Sequence, residues 1–231
     1  MAIVCLILGV MLAIQFRANE NSPVNPSVDR WAEITIQLDN LRTERDALAD
    51  EVISLRAKLE ETASHQQSDA IKALNEELIK ANMAAGLIPV RGAGVIVTLN
   101  DSPQVLQPGD NPNLGLVHDE DLLKVVNELK AAGAEAISIN GNRLISTSEI
   151  RCAGTTILVN VNRIAPPFVI NAIGNPETLK SSLLITGGHL KYIENFGIQY
   201  QIQNVDSVEV PAYKGAVKYE YAQPVKKDDN N

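Results

Sequence analysis

The sequence predicts an α+β protein in which an N-terminal membrane helix and a coiled-coil helix precede a mixed β-sheet with helices on one face. Three observations predict this order. Residues 1–16 carry no charge, residues 34–59 place mostly apolar side chains at heptad spacing within a long helical stretch, and β-branched segments alternate with amphipathic ones from Gly86 onward. Two strand–helix–strand units in the last part indicate a ferredoxin-like outline.

The composition bears on the class of protein. The 231 residues carry a net charge of -8, and aromatic residues make up 4%. A nucleic-acid surface needs basic side chains for phosphates and exposed rings for bases, so we expect no nucleic-acid partner. No CxxC pair or Cys/His cluster surrounds Cys5 or Cys152. We therefore expect no metal and no cofactor, and interpret Cys152 as a free structural thiol.

The apolar run MAIVCLILGVMLAIQF, residues 1–16, falls just short of the roughly 17–25 residues of a spanning helix. We favour an uncleaved anchor over residues 1–18 whose true start lies upstream. No Lys or Arg precedes Arg17, and no A-x-A cleavage pattern follows Phe16. A cleaved signal peptide is the alternative. By the positive-inside rule, Arg17 and Arg30 after the apolar run favour a body that faces the cytoplasm. The rule rests here on these two cations only, so charge alone leaves the orientation open.

A linker over residues 19–30 leads into a predicted helical stalk, residues 31–85. Two rows of side chains alternate by four and three, as in the seam of a left-handed coiled coil, and predict a homodimer. The absence of Gly and Pro suits an unbroken rod, although the seam shifts near His65–Asp69, where we expect a hinge or stutter. A single amphipathic helix packed on the domain is the alternative. The d row is Ile34, Leu41, Leu48 and Leu55, and the a row is Leu38, Arg45, Val52 and Leu59.

Residues 86–222 form the predicted globular domain, and residues 223–231 a solvated tail. Asn140-Gly141 between apolar runs predicts a two-residue hairpin. Helices are predicted at Glu120–Ala132, Glu177–Leu184 and Gly188–Phe196. Strands are predicted at Gly94–Asn100, Ala134–Ile139, Leu144–Ser146, Thr155–Asn162, Phe168–Ile173, Ile198–Gln203, Val208–Val210 and Val217–Tyr221.

The sequence predicts no catalytic residue. The glycines of Gly86–Gly94 precede a strand and no Lys follows them, unlike a phosphate-binding loop. Cys152 and His189 are a conceivable nucleophile pair, although Cys152 suits a packing role better.

The long loop Asp101–Asn113 and the second hairpin direct attention to a cluster of charged residues, since loops of this length are often functional. We expect a ligand or partner surface here before anywhere else. A solvated rim is the alternative. The candidate residues are Asp101, Asp119, Arg143, Glu149 and Arg151.

Six segments occur in this order along the chain: LGVMLAIQF, AGLIPVRGAGVIVTLNDS, VNELKAAGAEAISINGNRL, ILVN, APPFVINAIGNPETL and VEVPAY. Together they resemble the YlxW/YlxX-like bacterial proteins, the domain-of-unknown-function family 881. The resemblance implies an N-terminal membrane segment, a coiled coil and an extracytoplasmic C-terminal domain. Members are often labelled division initiation proteins, and their genes tend to lie among cell-division and cell-wall genes. The resemblance supplies no activity, cofactor or catalytic residue.

We therefore expect a non-enzymatic, single-pass protein of the bacterial plasma membrane, held in the lipid bilayer by residues 1–16. Its extracytoplasmic domain would meet an unknown envelope or division protein. The alternative is an extracytoplasmic domain that binds or senses a small ligand.

Overall fold

The computed structural model describes residues 9–11, 26–64, 69–104, 111 and 113–225. The chain divides into two compact units, Met1–Leu48 and Ala49–Asn231. Residues 9–11 are helical and exposed. Within the described residues, no helix combines the length and the apolar character that a membrane crossing requires. Most of the predicted membrane segment, residues 1–18, lies outside the description and stays a prediction.

The predicted unbroken rod is wrong. The stretch forms helix α1, Pro26–Ser64, and helix α2, Asp69–Ala85. Within the second unit, Arg56 Nη1 donates to the carbonyl oxygen of Leu87 at 3.2 Å, 31 positions along the chain. In one continuous helix these residues would lie about 46 Å apart, so the chain turns back between the helices. The predicted hinge falls largely on residues 65–68, outside the described residues.

An apolar pocket lies between the two helices. Leucine and isoleucine side chains from both helices line a pocket of about 210 Å³, and each of them remains more than a third exposed. These side chains are Leu59, Ile71, Leu74 and Leu78.

Gly86 ends α2 where the sequence predicts a break. Its φ of 74° lies in the left-handed region, and its N–H donates to Met83 O at 3.0 Å. The N–H of Leu87 donates to Asn82 O at 2.9 Å, which completes a Schellman cap. The chain then enters the first strand within a few residues.

The main sheet has five strands in the order β3-β2-β7-β1-β8. All of its pairings are antiparallel, so the prediction of a mixed sheet is wrong. The crossover after β1 makes β2 run parallel to β1. The two strands are not neighbours, because β7 lies between them. Without β3, the chain order is strand–helix–strand–strand–helix–strand, which matches the ferredoxin-like outline. The strands are β1 Val90–Asn100, β2 Ala136–Ile139, β3 Asn142–Arg143, β7 Phe168–Ile173 and β8 Gln199–Val210.

The Asn140-Gly141 hairpin is confirmed, with φ values of 44° and 76°. This two-residue turn places Asn142 opposite Ile139, so the return strand is Asn142–Arg143 rather than Leu144–Ser146.

A second sheet, in the order β4-β5-β6, lies between β3 and β7 in the chain. The predicted strand Thr155–Asn162 is split, because Asn160 and Val161 take φ values of 51° and 61° and form a turn. Strand β4 was missed, and the strand predicted at Val217–Tyr221 is absent from this described stretch. The new strands are β4 Ile150–Ala153, β5 Thr156–Val159 and β6 Asn162–Ile164.

Three helices cover one face of the main sheet. They are α3 Asp119–Ala131, α4 Pro176–Leu183 and α5 His189–Glu194. Alternate side chains of β1 point at them, as the period of two in a strand requires. The core joins strand residues such as Val95, Val97, Leu99, Ile137, Ile139 and Ile170 to helix residues such as Leu122, Leu129, Leu179, Leu183 and Leu190.

We expect Gly94→Ala to unfold or strongly destabilise the domain. A Cβ atom at Gly94 would lie 1.9 Å from the carbonyl oxygen of Ala172 on β7, and backbone cannot yield cheaply. The expected loss in the free energy of unfolding, from urea titration, is about 3 kcal/mol or more. In the control Gly154→Ala, the new Cβ meets nothing within 4 Å, so only the positive φ costs about 1–2 kcal/mol. Equal losses in the two variants would contradict the close approach.

Candidate functional site

A largely buried carboxylate–imidazole pair lies at the N-terminus of α3. Asp121 Oδ1 lies 2.8 Å from His189 Nε2, and the side chains are 13% and 8% exposed. Asp121 Oδ2 accepts the N–H of His118 at 2.7 Å, so the same carboxylate caps α3. One side chain thereby fixes the start of α3 and holds α5 beside it.

An acidic side chain of α3 holds the backbone at the start of α5. Glu128 Oε1 of α3 accepts the backbone N–H of His189 at 3.3 Å. The N–H group at this short helix start is therefore satisfied by the protein itself. Glu128 Oε2 is buried and has no hydrogen-bond partner in the described part of the chain.

Asp119, the first residue of α3, joins this helix to β4. Its Oδ2 accepts the N–H of Cys152 at 2.8 Å, and its own N–H points at Cys152 Sγ at 3.4 Å. Partial burial opposes ionisation of Asp119, but hydrogen bonds from Cys152 and from the N–H of Glu120 hold its pKa below the ordinary value. The contact is thus made by a charged carboxylate at neutral pH.

Cys152 is a free thiol, as predicted, and it is exposed. Partial burial of the sulfur raises its pKa; a hydrogen bond from the backbone of Asp119 opposes this rise, and the negative charge of the Asp119 carboxylate adds to it. A thiol of raised pKa is mostly protonated at neutral pH and is a weak nucleophile. Cys152 and His189 hydrogen-bond to different carboxylates, Asp119 and Asp121, so the geometry does not activate Cys152 through this imidazole.

Two more predicted site residues make local structural contacts. Asp101 Oδ1 accepts the N–H of Val117 at 2.8 Å and so closes the base of the long loop. Glu149 accepts the N–H of Val161 in the β5–β6 turn. Arg151 is exposed on β4 and forms no ion pair with the residues that the structure describes. The idea that these residues form a ligand or partner surface stays a prediction.

Arg143 lies apart from the others on the opposite face of the main sheet. Its register partner is Ser138, which points away from the core residues Ile137 and Ile139. The side chain is 4% exposed, and its Nη1 and Nη2 reach the carbonyl oxygens of Pro211 at 3.3 Å and Met83 at 3.5 Å. Burial lowers the pKa of the guanidinium.

A pocket of about 300 Å³ opens beside Arg143. Lys80 of α2 and Arg91 of β1 line it with Arg143, and Glu135 supplies an acidic group. Sequence reasoning missed Lys80 and Arg91, because only the fold brings α2 to the sheet. It also missed the role of Asp121, although the spacing of Asp121 three residues after His118 is that of a helix cap.

Among the described residues, no group of three or more His, Cys, Asp or Glu side chains could hold a metal ion. Residues 77–223 match the family model described as "Bacterial protein of unknown function (DUF881)". The chain belongs to this family. The resemblance inferred from the sequence segments is therefore confirmed.

The relatives extend the match over nearly the whole chain. The chain is 31% identical to UPF0749 protein Rv1825 of Mycobacterium tuberculosis over 231 residues, which cover 97% of this chain and 75% of the relative. It is 36% identical to UPF0749 protein YlxW of Bacillus subtilis over 135 residues, 58% of each chain. A crystal structure of an uncharacterized conserved protein from Mycobacterium tuberculosis matches with a TM-score of 0.53 and 30% identity, covering 64% of this chain and 99% of that one.

We expect Asp121→Ala to destabilise the domain more than Glu120→Ala does. The change removes the cap of α3 and leaves His189 without its acceptor, a loss of about 2–4 kcal/mol in the free energy of unfolding. Urea titration at neutral pH measures it. The matched control is Glu120→Ala, which removes an exposed pair with Lys124 and should leave the unfolding midpoint nearly unchanged. A midpoint that Asp121→Ala does not move would refute the structural role of the pair.

Proposed function

We propose that this protein is a membrane-anchored, extracytoplasmic interaction protein that dimerises through α1 and performs no catalysis. Its domain would present a surface to a protein of cell division or envelope assembly. The single observation that carries the proposal is a row of exposed apolar side chains along α1 at heptad spacing.

These side chains are between 39% and 69% exposed. Leaving them in water is costly, because burial of each would contribute up to roughly 1.5–3 kcal/mol. A second copy of α1 offers the same row at the same spacing, as in a coiled coil. The row consists of Ile34, Leu38, Leu41, Leu48, Val52, Leu55 and Leu59.

The charges that flank this row are compatible with a parallel pair. In a parallel coiled coil, each g position faces the e position five residues later on the partner. Gln37 then faces Arg42, and Glu44 faces the uncharged Ala49. Glu51 faces Arg56 of the second copy, an attractive pairing. No pair of like charges meets at these flanking positions from Gln37 to Arg56, but Arg45 at an a position would face Arg45 of the second copy in the seam, at a cost in stability.

We expect the full chain in mild detergent to sediment as a dimer, and Leu41→Asp with Leu48→Asp to convert it to a monomer. Two carboxylates in the seam would have to lose water without any partner. The control Ala47→Asp adds the same charge beside the seam, at an exposed position, and should stay dimeric. Sedimentation of the unaltered chain as a monomer would overturn the stalk proposal.

The proposal of a membrane anchor is supported by the uncharged run of residues 1–16. In fractionated cells, we expect the full chain in the membrane pellet after alkaline washing, and a variant without residues 1–18 in the soluble fraction. Protease added to intact protoplasts should digest the domain if it faces outward. Full-length protein found wholly in the soluble fraction would contradict the anchor.

The second candidate function is the binding of a small ligand by the domain. The pocket beside Arg143 favours it, because it places a buried cation next to two further cationic side chains. Screening of sugars, peptides and nucleotides by thermal shift tests this function in general terms.

A further inference from the structure

Three polar side chains form a row across the sheet face opposite to α3, α4 and α5. The registers place Arg143 of β3 opposite Ser138 of β2, and Ser138 opposite Asn171 of β7. Ser138 is 1% exposed and Arg143 is 4% exposed. Of the described residues, these two are the buried polar or charged ones, and they are direct neighbours.

Each member of this row has a polar atom without a partner. The atoms are Arg143 Nε, Ser138 Oγ and Asn171 Oδ1, and none has a hydrogen bond within the described residues. A buried donor or acceptor that is left unpaired destabilises a fold, and a buried charge does so more strongly. Arg143 is the member of the row that lines the pocket, and its buried Nε remains able to donate a hydrogen bond.

The charge of Arg143 is also uncompensated. Its two hydrogen bonds go to neutral carbonyl oxygens, at 3.3 Å and 3.5 Å, and both exceed the usual 2.7–3.2 Å range. No carboxylate of the described chain forms an ion pair with it. A guanidinium has five N–H donors arranged to fit a carboxylate or phosphate, so most of its capacity is unused.

The pocket beside Arg143 supplies room and further positive charge. Its volume of about 300 Å³ lies at the small end of ligand pockets. Lys80 is exposed at its wall and has no ion pair in the described structure. Arg91, also in the wall, already holds the carboxylate of Glu209 at 2.7 Å. Because Arg91 is paired with Glu209, Lys80 and Arg143 are the cations of this wall that form no ion pair with the described residues.

We propose that this pocket binds a small anion bearing a carboxylate or phosphate group, with Arg143 as the buried anchor and Lys80 and Arg91 at the rim. Glu135 in the same wall opposes large polyanions and restricts the site to a compact group. The inference rests on the ligand-binding function and is independent of dimerisation through α1.

The test measures thermal unfolding of the full chain in detergent with inorganic phosphate or succinate, at an ionic strength held constant with sodium chloride. We expect at least one anion to raise the midpoint by about 3–6 °C at ten times its Kd. Lys80→Glu should weaken the apparent affinity roughly ten-fold or more, because it reverses the charge at the wall. Lys72→Glu makes the same change on α2 outside the pocket and should bind like the unaltered chain.

Arg143→Gln should abolish anion binding. This change also removes the hydrogen bonds to Met83 and Pro211, so the variant could fail to fold. In that case Lys80→Glu tests the anion site by itself. A midpoint that rises equally in Lys80→Glu indicates a general salt effect and overturns the proposal. So does the absence of any rise with either anion. A neutral ligand from the general screen that stabilises Lys80→Glu fully would preserve the ligand-binding function while overturning the anion site. Sedimentation in parallel reports on the dimer separately.

Discussion

The close approach of β1 to β7 is the constraint on which the rest of the domain depends. The carbonyl oxygen of Ala172 occupies the space where a Cβ of residue 94 would stand, so position 94 tolerates no side chain. On its other edge, β1 pairs with β8 from Val90 to Asn100, and a bulge near Gly92 and Gly94 absorbs one extra residue of β8. Gly92 and Gly94 thus serve the packing of β1 against β7, whereas Gly86 ends α2. Because β8 runs on to Val210, it also delivers the carbonyl of Pro211 to Arg143.

Elements with strong local signals could be predicted from the sequence, and those that depend on distant neighbours could not. Strand β7 and the Asn140-Gly141 turn are confirmed at their predicted positions, because period-two apolarity and positive φ are local properties. Strand β4 was missed because the segment IRCA owes its conformation to pairing with β5. The segment Val217–Tyr221 has β-forming residues, but no strand pairs with it and Tyr221 is 96% exposed. Between α1 and α2 the sequence has no Gly or Pro, and the shift of the heptad seam near His65–Asp69 was the signal that predicted a hinge there.

The candidate residues show the same division. Arg143 was selected as part of a charged rim, but its register opposite Ser138 places it on the buried face of β3. Strand register follows from the packing of the whole sheet, and a shift of one residue would reverse the face. The pairing of Asp121 with His189 joins positions 68 apart and is equally invisible in the sequence. Composition could show that the chain is acidic, but not that three cations gather at one wall.

Two features of this fold cost free energy in an isolated chain, and they are of opposite kinds. Along α1, apolar side chains remain in water, while beside Arg143 polar atoms are removed from water without partners. Folded proteins are stable by only about 5–15 kcal/mol, so such costs are rarely kept without use. Exposed apolar rows and unpaired buried polar groups are found most often at functional positions. An apolar row is relieved by another apolar surface, and a buried guanidinium by an anion, so the two costs call for chemically different partners. The proposals of dimerisation and of anion binding therefore assign separate binding elements, α1 and the domain, to one chain.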